Sequence, residues 1–319
     1  MKKTALITGV TGQDGKYLCE HLKKIGYNIY GIDVQSYSNK ELKCHGISTI
    51  YQVDISRVKL VHDIINQVKP DEIYNLAAVH RVEHQDKKLS PESMKTINAV
   101  STVNMLRTCA MNLPNVKFFQ AGSSEMFGNS FDDDGLQRVT TAMNPITEYG
   151  KTKCMAYDAV IEHRNKYGLF ACNGILYNHE SPYRKEKFVT TKIIKTAIKI
   201  KKGIENELRL GNLEVGRDWG HAKDYVRAMH SVLTHNSPSD WIISTGQVNT
   251  IREVCRYIFN KLGLNYEQYV VEDVSLSRSE YKNIPCGDPS MTEKELKWER
   301  EYDLYKMLDE MLEYWLERI

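Results

Sequence analysis

The chain has 319 residues, of which 41% are hydrophobic and 26% charged, with a formal net charge of +2. That balance excludes a disordered polymer and a basic nucleic-acid binder, and it points to one two-lobed globular enzyme whose partner is a small molecule. Seven cysteines form no CxxC pair and no apolar run reaches bilayer length, so we expect no disulfides, no metal site, no membrane partner and a soluble, cytoplasmic protein.

Met1-Lys2-Lys3 has the charge of a secretory leader, but the apolar run after it breaks at Gly9, so Thr4 to Thr8 reads as a first strand. Further strands are expected at Asn28 to Asp33, Thr49 to Val53, Glu72 to Leu76, Lys117 to Ala121 and Phe170 to Leu176, with helices starting near Gly12, Val58, Met94 and Glu148. This alternation predicts an α/β fold, a Rossmann doubly wound parallel sheet covered by helices on both faces. Beyond Tyr177 the pattern turns irregular, with loop-like stretches at Asn178 to Lys187 and Gly211 to Gly220. Helices are expected at Lys192 to Lys202 and Lys223 to Leu233, a returning strand at Trp241 to Gly246 and a closing helix at Leu304 to Ile319. Residues 1–176 are therefore assigned to the cofactor domain, with the strand near 241–246 returning to it, and 177–319 to a smaller, interleaved substrate lobe.

Gly9, Gly12 and Gly15 lie between the first strand and first helix, where missing side chains let the backbone turn tightly and a helix N-terminus approach a pyrophosphate. Asp33 ends the next strand about 20 residues on, where the acid that binds the ribose is expected. A carboxylate there hydrogen-bonds the ribose hydroxyls of NAD and repels the 2′-phosphate of NADP. Val34 and Gln35 add no positive charge, so NAD is favoured, with NADP as the alternative and a plain loop cap as the bland role of Asp33. Asp54, with Ile55, closes the third strand at the adenine position or simply makes a turn.

Tyr-x-x-x-Lys places both side chains on one helical face, where an ammonium can lower a phenol's pKa. Four pairs in this chain satisfy the spacing: Tyr149/Lys153, Tyr183/Lys187, Tyr257/Lys261 and Tyr302/Lys306. Only the first follows the fifth strand and opens a helix. Just upstream, Ser123 supplies a hydroxyl at the carboxyl edge of the sheet, and Glu125 adds a carboxylate that permits removal of a carbon-bound proton next to a ketone. Its bland alternative is a capping glutamate that faces solvent.

Together these residues resemble the extended short-chain dehydrogenases, and within them the GDP-mannose 4,6-dehydratase family. The likeness lies in Ala5 to Gly15, Asn75 to Ala78, Ser123-Ser124-Glu125, Tyr149 to Lys153, Gly174 to Pro182, Leu210 to Leu213, Arg217 to Tyr225 and Gly287-Asp288-Pro289, which span nearly the whole chain. The resemblance implies Ser123, Glu125, Tyr149 and Lys153 as catalytic groups, with serine where threonine is common. It implies cofactor contacts from Gly9, Thr11, Gly12, Gln13 and Asp14, from Asp54, Ile55, Leu76, Ala77, Ala78 and His80, and from Tyr149, Lys153, His179 and Arg184. Asn178, Glu180, Lys192 and Arg217 match the part that holds the nucleotide diphosphate sugar, Arg217 being the best diphosphate partner because a guanidinium forks onto phosphate oxygens. Arg278 and Glu280 resemble the nucleoside grip, although their spacing to Gly287 is one residue off.

Two departures stand out. Asp33-Val34-Gln35 replace the family's basic residues for the NADP phosphate, and the stretch Ser36 to Ser48 is shorter than the family's loop that helps build a tetramer. A homodimer is expected, with a tetramer as the alternative. The implied chemistry is C4 oxidation, loss of water across C5 and C6, and hydride return to C6 of a GDP-hexose or GDP-manno-heptose. The rivals are a C4 dehydrogenase or epimerase of the same fold, in which Glu125 is idle, and a non-catalytic dinucleotide sensor.

Overall fold

The structure is a computed structural model that describes residues 2–80, 90–276 and 284–319. Its frame is a seven-stranded sheet: β1 (Thr4–Thr8), β2 (Asn28–Asp33), β3 (Ile47–Gln52), β4 (Glu72–Asn75), β5 (Lys117–Ala121), β6 (Phe170–Leu176) and, returning late in the chain, a strand at Asp240–Ile243. All neighbours pair in parallel. From β1 the chain builds outward through β2 to β3 at one edge, then crosses to β4 and builds through β5 and β6 to the returning strand at the other. The reversal leaves a crevice outside the carboxyl ends of β1 and β4, the place where open α/β sheets bind ligands.

Successive side chains on a strand face opposite sides, so a strand buried on both faces must be apolar at nearly every position. In β1, Ala5 and Ile7 pack into one core layer while Leu6 packs into the other; in β5, Phe119 and Phe118 divide the same way. The first layer is covered by α1 (Gln13–Lys24) and the second by α3 (Val58–Val68), which follows α2 (Asn39–His45). After β4 come a short helix, α4 (Pro91–Lys95), one wider π-helical turn over Thr96–Val100, and α5 (Ser101–Asn112), which with α6 (Glu148–Tyr167) completes that layer.

The rest of the chain adds β7 (Asn178–Glu180), α7 (Val189–Lys201), β8 (Leu208–Leu210), β9 (Gly216–His221) and α8 (Ala222–Thr234). Then follow β10, the returning strand at Asp240–Ile243, β11 (Val248–Thr250), α9 (Ile251–Lys261), β12 (Val270–Glu272), α10 (Ser290–Leu296) and α11 (Leu304–Leu316). Helix α8 joins α1 over the first sheet face, whereas α7, α9 and α11 bury Ile194, Ile198, Phe259, Met307 and Met311 in a separate core. Strand β9 runs parallel to β7 and antiparallel to β11, and this small sheet projects Arg217 toward the crevice.

Several elements differ from sequence expectation. Both segments read as loops hold strands, β7 and β9, because each finds its hydrogen-bonding partner in the other rather than in an adjacent hairpin. The short stretch after β2 contains α2, capped by Ser38 and Glu41 in a reciprocal box. The helix expected near Met94 is built in three pieces, and the returning strand ends at Ile243 instead of Gly246.

Candidate active site

A continuous cleft of about 1040 Å³ runs from the carboxyl ends of β1 and β4 across to β7, α7 and β9, at the upper end of ligand-site volumes. One end is shaped by absent side chains. Gly9 has φ +68, and a Cβ there would lie 2.9 Å from the backbone of Ala77; at Gly15 it would lie 2.5 Å from the carbonyl oxygens of Gly9 and Val10. Gly12 caps α1 without a side chain, so the positive helix end lines the cleft through Gly12 to Gly15. These residues fit a dinucleotide pyrophosphate because the turn brings backbone, not side chain, to the wall.

Asp33 reaches the same end. Its Oδ2 accepts hydrogen bonds from Thr11 N at 3.0 Å and Thr11 Oγ1 at 2.9 Å, and its Oδ1 from Gln35 N at 3.2 Å. Asp54, Ile55, Leu76, Ala77 and Ala78 line the adjoining wall, and Asp54 also accepts from Ser56 N at 2.8 Å. Asp14 and Gln13 serve a second purpose, since they tie the glycine turn to β7. Asp14 Oδ2 lies 2.8 Å from His179 Nε2, Gln13 donates to the His179 carbonyl at 3.1 Å, and Ser181 donates to Gln13 at 2.7 Å. Burial opposes charge on Asp14 and His179 alike, but each stabilises the other's ion, so the Asp14 pKa lies below and the His179 pKa above its ordinary value.

At mid-cleft, Ser123 caps the start of the short 3-10 turn Ser124–Met126 that follows β5, its hydroxyl accepting from Glu125 N at 3.2 Å. Thr147 caps α6 by accepting from Gly150 N at 2.9 Å, which sets the first helical turn so that Tyr149 and Lys153 share the face toward the cleft. Lys153 is buried, with its ammonium 5.5 Å from the Tyr149 ring centre and donating to the Ala121 carbonyl at 2.8 Å. Burial pushes its pKa down to about 8. Glu125 is gripped on both oxygens: Oε1 lies 3.1 Å from His80 Nε2, and Oε2 accepts from the Thr147 hydroxyl at 2.6 Å. Desolvation opposes its ionisation, yet His80, Thr147 and the Arg217 charge outweigh it and hold the pKa below the usual glutamate value.

The far end is lined by Asn178, Lys192 and Arg217, while Arg184 lines the cleft nearer the glycine turn, where its charge helps hold the Asp14 carboxyl low. Arg217 Nη1 donates to the Gly216 carbonyl at 2.7 Å and Lys192 Nζ to the Arg209 carbonyl at 2.6 Å. Glu180 sits behind this wall, buried, with Oε2 accepting from Thr190 at 2.6 Å and paired with Arg184 at 3.1 Å. Arg278 and Glu280 lie outside the described residues. Sequence reasoning missed Thr147, which shares its hydroxyl between a helix cap and Glu125, and Asn98, which pins the backbone beside His80. The Thr147-Glu148-Tyr149 helix start was a readable capping signal; Asn98 sits in the π-helical turn and had none. Lys185 and Lys187 also line the cleft near Arg184. Among the described residues no cluster of three His, Cys, Asp or Glu side chains could hold a metal ion, and no helix is long and apolar enough to cross a membrane.

A family model described as GDP-mannose 4,6 dehydratase matches residues 6–311. The chain is 36% identical to GDP-mannose 4,6 dehydratase 2 of Arabidopsis thaliana, covering 99% of this chain and 87% of that protein. It is 35% identical to GDP-mannose 4,6-dehydratase of Vibrio cholerae, with 98% and 93% covered, and 40% identical to the human GDP-mannose 4,6 dehydratase, with 82% and 73% covered. Among solved structures, dTDP-glucose 4,6-dehydratase from Bacillus anthracis in complex with NAD matches with a TM-score of 0.83 at 21% identity, over 98% of this chain and 96% of that one. RMD from Pseudomonas aeruginosa complexed with NADPH matches at 0.82 and 19%, over the full length of both, so these two likenesses speak to the fold.

Proposed function

The chain belongs to the GDP-mannose 4,6-dehydratase family, and from that premise we propose how its cleft carries out GDP-sugar 4,6-dehydration. The observation that carries the reading is the convergence of Tyr149, Lys153 and Glu125 on one stretch of wall, between a glycine-turn end and an arginine-lined end. Tyr149, primed by the Lys153 ammonium, takes the C4 hydroxyl proton, with the Ser123 hydroxyl sharing a hydrogen bond to the same oxygen. A dinucleotide held at the glycine turn and Asp33 would supply the redox chemistry, as the store for the hydride that leaves C4 and comes back to C6. The new C4 ketone acidifies C5, and Glu125, kept as a carboxylate, removes that proton. The C5–H electron pair forms the C5–C6 double bond, the C6–O bond breaks, and the oxygen leaves as water with the proton that Glu125 took from C5, passed directly or relayed through the Ser123 hydroxyl. As hydride returns to C6, the proton that Tyr149 took from the C4 hydroxyl is delivered to C5, which restores both residues and gives a 4-keto-6-deoxy sugar.

Residues 1–176, with α8 and β10, form the half that holds the dinucleotide, and the remainder of 177–319 the half that holds the GDP-sugar, with Asn178, Lys192 and Arg217 nearest the diphosphate. Glu180 contributes by holding Arg184 in place. For the cofactor we favour NAD over NADP: Asp33, fixed by Thr11 at the end of β2 and followed by Val34 and Gln35, repels a 2′-phosphate. A homodimer in the cytoplasm is the working assembly, tested by light scattering on the purified protein.

Incubation with GDP-mannose and, separately, GDP-manno-heptose, each with NAD or NADP, tests substrate, reaction and cofactor by product mass. Loss of water with no net reduced cofactor is the expected result. A product isobaric with substrate, or a stoichiometrically reduced cofactor, would instead mark an epimerase or a simple dehydrogenase. Glu125→Gln turning over at the wild-type rate would remove Glu125 from the mechanism.

A further inference from the structure

We infer that His80 is the positioning residue for the elimination half of the reaction, orienting the Glu125 carboxylate toward C5, rather than a wall contact for the cofactor. The inference rests on the dehydration reading and on the Glu125 assignment made there.

Three features support it. The imidazole Nε2 lies 3.1 Å from Glu125 Oε1 while Thr147 holds Oε2 at 2.6 Å, so the carboxylate plane is fixed from two sides and a lone pair on each oxygen remains for substrate. The same imidazole packs edge-on against the Tyr149 ring, with centroids 4.5 Å apart and planes at 68°, so one side chain touches both groups that act as bases. The backbone of the preceding residue, Val79, is itself anchored. The side chain of Asn98 accepts from Val79 N at 2.9 Å and donates to Val79 O at 3.0 Å, and also donates to Thr152 Oγ1 at 3.1 Å on the helix that carries Tyr149 and Lys153.

Asn98 is buried and sits in the π-helical turn between α4 and α5, a local widening that proteins often place at functional sites. A purely space-filling His80 would need neither the paired backbone clamp beside it nor a nitrogen aimed at a carboxylate. Orientation matters here because Glu125 must reach a carbon acid, whose proton offers no strong hydrogen bond to guide the base. Misaiming of about 1 Å costs on the order of 10²-fold in such a step.

His80→Ala and His80→Asn, compared with wild type on GDP-mannose, test the idea. Wild-type product lighter by one water secures the dehydration reading independently, and Glu125→Gln secures the base. In His80→Ala, kcat should fall about 10²-fold with KM nearly unchanged, and a primary isotope effect with C5-deuterated substrate should emerge as the C4-deuterium effect shrinks. Cofactor affinity, measured by fluorescence titration without substrate, should stay within about twofold. His80→Asn, whose amide can still donate to Oε1, should recover part of the rate. Wild-type turnover by His80→Ala overturns the inference, as does an unchanged isotope pattern or a loss of cofactor affinity that accounts for the lost rate. Failure of the asparagine variant to exceed alanine while the C5 effect is absent does so as well.

Discussion

The two ends of the cleft are built by opposite means. At the glycine-turn end the wall is backbone, held by strand register and by places where no side chain fits, whereas at the β7–β9 end it is long cationic side chains supported from behind by carboxylates and carbonyls. A backbone wall tolerates almost no change but asks little of side-chain identity. A side-chain wall tolerates change in graded steps and can be retuned for another sugar. Substitutions at the first end should therefore act all or none, and at the second by degrees.

Gly15→Ala should have the largest effect. Its methyl would meet two carbonyl oxygens at 2.5 Å, and neither can move without unmaking the turn, so we expect destabilisation of about 3 kcal/mol and loss of measurable cofactor binding. Thermal melts and fluorescence titration check both. Next comes Tyr149→Phe, which keeps the ring against His80 and removes only the proton acceptor; kcat should fall by about 10³-fold with substrate affinity retained. Arg217→Lys keeps the charge and loses the fork, so KM should rise about tenfold with kcat little changed. A loss at Arg217 as complete as at Gly15 would break the contrast.

The same contrast explains what could be read in the sequence. Glycines at 9, 12 and 15 and strands such as Thr4–Thr8 state their role through composition and spacing, because their function is to be small or apolar at fixed intervals. Tyr149 and Lys153 were found by their place after β5, not by their spacing, which three other pairs share. Strands β7 and β9 were invisible because their register is set by each other, about forty residues apart in the chain, and their residues carry the charges of the site instead of an apolar alternation. Helices α2 and α9 were missed although both begin with a readable Ser/Thr-x-x-Glu box, at Ser38 and Thr250. Asn98 could not be read at all, since its clamp on Val79 exists only once the π-helical turn has formed.

Proton loading distinguishes the centre of the cleft from both ends. Lys153, pushed down to about 8 by burial, keeps its ammonium below that pH and loses it above. The hydride-forming step should therefore slow as pH rises through about 8, while Glu125, held below its ordinary value of 4.5, stays ionised throughout the neutral range. A C4-deuterium isotope effect that grows above pH 8 is the expected signature, and an effect that does not change between pH 7 and 9 would put the limiting proton elsewhere.

The smallest effect concerns the latch that joins the two ends, Asp14 with His179. Burial disfavours the charged imidazole, but Asp14 at 2.8 Å overcomes it and raises the folded pKa above 6.5. That stabilisation is complete below 6.5 and fades as pH climbs through the raised value. Asp14, with its folded pKa lowered from 3.8, stabilises above that value and loses its contribution as pH falls through the lowered one. The pair is thus worth most between 3.8 and 6.5. In His179→Gln the imidazole charge is absent at every pH, so its melting temperature should trail wild type by about 2–4 °C near pH 5.5, with the gap narrowing by pH 9. A gap that is constant with pH would mean that His179 joins the two ends by packing against Tyr225, 4.5 Å away ring to ring, and not by charge.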